Sequence, residues 1–281
     1  MKYMTFNSSC SYAGVANMLE QYGVDTDDRT IAMEMKLPYL FAYEDGVYMA
    51  GPMLQSADWF NLYLQPIGFE MTEQEIPTTQ VPDYLLQQKT AMLGLQVDEG
   101  GKHAVVYTGI QDGKLAFLNN KWEQDPAPER LILTELELME RIGASAMIAT
   151  LQPVTPREVA LGSIIQKSIS VMRDNLSEIQ EVCGKKEMVG VLRSKLNTLF
   201  RPLLLDGITM LGLLEEKELA QRFTAIQSGF LTALRQDAGT VITLGDYLPV
   251  NELVAAVEEY IQIIDRGGRY GIGCCGFVRM M

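Results

Sequence analysis

Histidine occurs once in this sequence, at His103, and a cysteine, Cys10, stands far upstream where a helical pattern begins. A thiol is a poor nucleophile until a base removes its proton, and imidazole is the side chain best matched to do so near neutral pH. Any cysteine–histidine chemistry in this chain must therefore use His103. Sixteen residues after it come Asn119 and Asn120, then Trp122. An amide at Asn119 can accept the imidazole's second N–H and so hold the tautomer that turns the remaining nitrogen toward sulfur. At a helix start, Cys10 meets the positive end of the helix dipole, which favours a thiolate and can also receive a developing oxyanion.

The elements that must position these groups are readable in outline. Ala13, Ala16, Leu19 and Tyr22 lie at helical spacing, predicting a helix from Cys10 to Tyr22 with Asn7, Ser8 or Ser9 as its cap and Gly23 as its end. A second helix is expected over Gly51 to Leu64, and a short one from Pro82 to Gln88. Extended pieces are expected at Phe69 to Met71 and at Met92 to Val97. His103 to Ile110 and Lys114 to Leu118 form a hairpin around Gln-Asp-Gly, and His103 itself follows a flexible Gly-Gly. A last strand at Ala146 to Leu151 ends the first domain, with Pro153 and Pro156 as the boundary. Beyond it the pattern predicts a helical bundle: Arg157 to Val182, Lys186 to Phe200, Ile208 to Gln236 and Val250 to Ile264.

Composition narrows the function classes. The chain has 281 residues with a net charge of -13. Residues 1–150 hold 9 Lys and Arg against 21 Asp and Glu, so the acidity is concentrated in the part that holds Cys10 and His103. That argues against nucleic acid, whose binding rests on phosphate neutralisation, and leans toward neutral or basic partners, although acidity also serves solubility. No stretch is apolar for the ~18 residues a membrane span needs, and the N-terminal residues lack a secretory signal, so the expectation is a cytoplasmic protein with no membrane partner. The four cysteines, two of them adjacent at Cys274 and Cys275, form neither a disulfide framework nor a zinc spacing. No metal and no cofactor is expected. The glycine-rich run from Gly267 lacks the Lys-Ser/Thr ending of a phosphate loop. Asp58-Trp59-Phe60 reads as core packing.

Asn-Ser-Ser-Cys10-Ser-Tyr-Ala-Gly, His103-Ala-Val-Val-Tyr-Thr-Gly and Asn119-Asn120-Lys-Trp122 together resemble the papain-like cysteine peptidase superfamily, in particular its C39-like branch and the N-terminal domain of the butirosin biosynthesis protein H family. The resemblance implies an α+β chain with a papain-like domain over residues 1–152 and an all-α helical domain over 153–281. It implies Cys10 as nucleophile, His103 as base and Asn119 as the residue that orients the base. Asn120 competes for the third role, because Asn120-Lys-Trp122 reproduces an Asn-x-Trp pattern frequent in the superfamily, and Trp122 would shield the pair from water. One departure stands out: the oxyanion glutamine usual six residues before the cysteine is Met4 here, leaving Asn7 as the nearest amide that could replace it. The expected activity is a peptidase or amidase acting on a peptide. The alternatives are an acyltransferase using an acyl-thioester, and a catalytically silent binding module. The helical domain could also pair two chains across a two-fold.

Overall fold

The structure, a computed structural model, describes residues 1–98 and 101–269. In chain order the helices are α1 (Cys10–Glu20), α2 (Asp28–Glu34), α3 (Ala57–Leu64), α4 (Val81–Leu86), α5 (Glu135–Ile142), α6 (Leu161–Cys183), α7 (Val189–Ser194), α8 (Gly207–Leu213), α9 (Lys217–Leu234) and α10 (Val250–Arg269). The strands are β1 (Phe41–Glu44), β2 (Val47–Ala50), β3 (Phe69–Pro77), β4 (Ala91–Asp98), β5 (Gly101–Gln111), β6 (Lys114–Asn119), β7 (Arg130–Leu133), β8 (Ser145–Pro153), β9 (Lys186–Met188) and β10 (Val241–Thr243). Gly100, half of the Gly-Gly before His103, and the tail with Cys274 and Cys275 lie outside the described residues.

The chain divides into two compact units, Met1–Met35 with Gln55–Val159, and Lys36–Leu54 with the described residues from Ala160 onward. The expected boundary at Pro153 therefore needs two corrections. The junction falls after Val159, and the segment 36–54, expected in the first domain, belongs with the second unit. There Tyr260 donates its hydroxyl to the Pro38 carbonyl at 2.7 Å, and Phe41 N–H donates to Ser168 Oγ at 3.0 Å.

The second unit is also not all-helical. β1 and β2 form an antiparallel hairpin, and β9 pairs with β10. The signal for the hairpin is the dipeptide Asp45-Gly46, whose φ values of 51° and 82° are those of the type I′ turn that matches strand twist. The helix expected from Ile208 to Gln236 is two helices, because Glu215 takes a left-handed φ of 61° between them. The one expected over Lys186 to Phe200 begins as strand β9 and continues through α7 into a π-helical turn at Leu196–Phe200.

The first unit is built on a six-stranded sheet in the order β3-β8-β4-β5-β6-β7, every neighbouring pair antiparallel. On one face Leu93, Leu95, Val105, Tyr107 and Phe117 pack with Val81 and Leu85 of α4 and Leu138 and Ile142 of α5. Alternation along β4 turns Met92 the other way. There it meets α1, which is buried continuously from Ser11 to Leu19. The contact is close: a Cβ on Gly14 would lie 2.4 Å from Met92 Sδ and 2.7 Å from Asn120 Nδ2. Replacing a mid-helix glycine by alanine gains ~1 kcal/mol in an open helix. Overpacking a core contact costs ~1–3 kcal/mol, so Gly14→Ala is expected to lower the urea midpoint rather than raise it.

Candidate active site

Cys10 is the first residue of α1, and the loop that delivers it is tied to α2. Asp28, fully buried, accepts hydrogen bonds from the Thr5 N–H and the Thr5 hydroxyl, each at 2.7 Å. The Ser9 hydroxyl lies 2.6 Å from Asp28 Oδ2 and 2.7 Å from the Phe6 carbonyl, two acceptors for its single proton. Ser9 stands in the N-cap position but makes no side-chain cap. The thiol stands at the positive end of the α1 dipole with no Ser9 side-chain cap in front of it.

His103 lies on β5. Its Nδ1 is 3.0 Å from Asn119 Oδ1, and Asn119 Nδ2 donates to the Pro128 carbonyl at 3.1 Å. A carbonyl only accepts, so the amide's orientation is settled chemically: its oxygen faces the imidazole, Nδ1 carries the proton, and Nε2 is the nitrogen left for sulfur. Asn119 is 1% exposed. Cys10 stands beside His103, the Ala104 backbone N–H and Ser11. β6 ends with Asn119 opposite Val105, which leaves the edge of β5 beyond that pair open for the Ala104 contact.

Burial alone would push the Cys10 thiol up, but the hydrogen bond and positive charge of His103, with the Ala104 and Ser11 bonds, outweigh it and hold the thiol below its ordinary range. His103 is displaced upward, first by its hydrogen bond to Cys10, against the opposing effect of burial, with help from the thiolate charge, Asn119 and the Asp125 carboxylate. Opposite displacements of this kind favour a thiolate–imidazolium pair. Cys183 is the contrast: buried without such partners, its thiol is pushed up to about 11.

Asn120 is also buried but faces α1, where its Oδ1 accepts from Asn17 Nδ2 at 2.9 Å. Asn17 in turn bonds both backbone groups of Lys2. Of the two adjacent asparagines, Asn119 bonds the histidine and Asn120 the helix that carries the cysteine.

A cavity of about 300 Å³ opens on Cys10 and His103 and is lined also by Ser11 and Gln55. Ser11 donates to Gln55 Oε1 at 2.8 Å, which leaves the Gln55 N–H groups available to another acceptor. Gln55 was not found in the sequence, because it stands far along the chain before α3 with no motif around it. Asn7, the expected replacement for the missing glutamine, does not line this cavity. It sits exposed in the turn closed by Ser9 N–H to the Phe6 carbonyl, where Ser8 takes a φ of 60°. Met4 is buried and bridges Trp122, its N–H bonding the Lys121 carbonyl at 3.0 Å. The Trp122 side chain is 39% exposed, so it is no closed cover over the buried Asn119. Among the described residues no three His, Cys, Asp or Glu side chains gather where they could hold a metal ion, and no helix is long and apolar enough to cross a membrane.

The first unit thus carries a cysteine–histidine–asparagine arrangement at the mouth of a cavity. No family model matches the chain, and no curated protein matches it. Among solved structures, the peptidase domain of Streptococcus ComA, a bifunctional ABC transporter involved in a quorum-sensing pathway, is similar over 54% of this chain and 96% of that one, at 15% identity and a TM-score of 0.37. A likeness that loose transfers no role to any residue.

The alkylation rate of Cys10 should follow the displaced thiol. With iodoacetamide, read by peptide mass, its inflection is expected below the ordinary thiol value of about 8.5. His103→Ala leaves burial opposed only by the Ala104 and Ser11 bonds, so the inflection should move up. Asn119→Ala should move it the same way by less. Asn120→Ala should leave the inflection in place while costing ~1–3 kcal/mol of stability for a broken buried hydrogen bond.

Proposed function

We propose that this chain is a thiol-dependent acyl-transfer enzyme working as a peptidase or amidase. The observation that carries the reading is that Cys10 and His103 line one open cavity while Asn119 holds His103 by a hydrogen bond. Cys10 as thiolate attacks the substrate carbonyl carbon, forming the S–C bond. The oxyanion is received by the backbone N–H of Cys10 at the start of α1 and by an N–H of Gln55. The His103 imidazolium gives its proton to the leaving amine as the C–N bond breaks. Neutral His103 then takes a proton from water, hydroxide attacks the thioester, and the acid product leaves with the thiolate restored. Asn119 holds Nδ1–H throughout, so Nε2 is the atom that receives and returns the proton.

Incubation with a peptide mixture in H₂¹⁸O tests this reading. New peptide C-termini carrying one ¹⁸O are expected, and Cys10→Ala should abolish them. A product in which an added amine has replaced water would instead assign the chain to acyl transfer between carriers. No turnover, together with a Cys10 that titrates as an ordinary thiol, overturns the reading. Gln55→Ala is expected to lower kcat ~10²–10³-fold, the usual effect of losing one oxyanion donor, while leaving Cys10 alkylation by iodoacetamide nearly unchanged.

A further inference from the structure

The cavity that exposes Cys10 also contains a carboxylate with no part in the scheme above. Glu73 lies on β3 and lines the cavity with Cys10 and His103. Its position follows from the sheet: Glu73 is directly opposite Ala149 of β8, and Ala149 is directly opposite Met92 of β4. The three therefore form a row across one face, because cross-strand partners share a face. Ala149, Met92 and Met147 make an apolar wall beside Glu73.

Among the described residues Glu73 has neither an ion-pair nor a hydrogen-bond partner. The cation that lines the same cavity is Lys102, whose ammonium donates instead to the Ile142 carbonyl at the C-terminal end of α5, where the helix dipole favours it. A carboxylate left unpaired beside an apolar wall, in a cavity at the small end of ligand-site sizes, adds a charge preference to whatever enters. Residues 1–150 as a whole carry the same sign, with 21 acidic against 9 basic side chains.

We propose that Glu73 is a specificity residue, and that the substrate presents an ammonium or guanidinium group to it while an apolar part lies along Met92 and Met147. This rests on Cys10 being the reacting group, and it narrows the substrate class from any acyl compound to one that is cationic close to the carbonyl under attack. An anionic substrate would meet repulsion from Glu73.

Charged methanethiosulfonates test the subsite without knowledge of the substrate. Cys10 thiolate attacks the reagent's divalent sulfur, a mixed disulfide forms and methanesulfinate leaves, so the rate reports the potential at Cys10. The trimethylammonium-ethyl, sulfonatoethyl and uncharged methyl reagents are compared on the full chain, with modification at Cys10 read by peptide mass. The cationic reagent is expected to outpace the anionic one. Glu73→Gln should reduce that ratio ~3–10-fold, as expected for removing one charge within reach of the site, with little change for the methyl reagent. Glu140→Gln, which removes an exposed charge that does not line the cavity, should leave the ratio in place. Equal ratios for Glu73→Gln and Glu140→Gln overturn the proposal. Its failure is separable from failure of the acyl-transfer reading. A displaced, His103-dependent pH profile with no Glu73 effect removes only the cation subsite, whereas an ordinary thiol profile removes the acyl-transfer reading and the subsite with it.

Discussion

The hydrogen bond between His103 Nδ1 and Asn119 Oδ1 depends on a single extra residue in β5. From Gln111 to Gly109 the hairpin pairs Gln111 with Lys114, Ile110 with Leu115 and Gly109 with Ala116. Beyond Thr108 it pairs Tyr107 with Phe117, Val106 with Leu118 and Val105 with Asn119. Thr108 is the unpaired residue of a bulge, and Gly109 beside it takes a φ of 123°. Continued without the bulge, the register would set Asn120 opposite Val105 and turn Asn119 to the other face, since a one-residue slip reverses every side chain. The bulge is what puts Asn119 on the His103 face and Asn120 on the α1 face. The tautomer of the imidazole, and with it the nitrogen left to face Cys10, follow from that placement.

The same discrimination secures the other half of the pair. Asn120 holds Asn17 on α1, Asn17 holds Lys2, and Gly14 lets the helix lie close against Met92. At the opposite end Asp28 gathers Thr5 and Ser9, so the turn before Cys10 is held by a buried carboxylate rather than by a helix cap. Cys10 is thereby held at both ends of the first half of its helix. Asn17, Asn120, Ser9 and Asp28 are buried and each takes part in one of these bonds, so they are costly to move. This rigidity bears on the thiol because its displacement depends on the distance to one imidazole. Cys183 shows what burial does where no such partner is provided.

Periodicity and turn residues were enough for α1, the β5–β6 hairpin, β4 and β8, since those segments alternate or repeat at the spacing their structure demands and end at Gly, Pro or Asp-Gly. β1 and β2 carried the same kind of signal in Asp45-Gly46, but with only four residues each they present too little alternation to stand out from the surrounding chain. The break at Glu215 had no signal, because nothing in Leu-Leu-Glu-Glu disfavours a helix locally. That is a case of packing overriding propensity.

For the site, residue types and their order along the chain determined that any cysteine–histidine chemistry had to use His103, with Cys10 at a helix start as the candidate thiol, and that an amide near residue 119 could orient the base. A single histidine left no other choice. The choice between Asn119 and Asn120 was beyond the sequence, because it turns on where a bulge falls and a bulge changes no residue type. The places of Gln55 and Glu73 in the cavity wall were equally hidden. Each reaches the cavity from an element far from Cys10 in the chain, Gln55 from the residue pair before α3 and Glu73 from the register of β3 on β8. Proximity of that kind is a property of the folded sheet, and only the tertiary structure decides it.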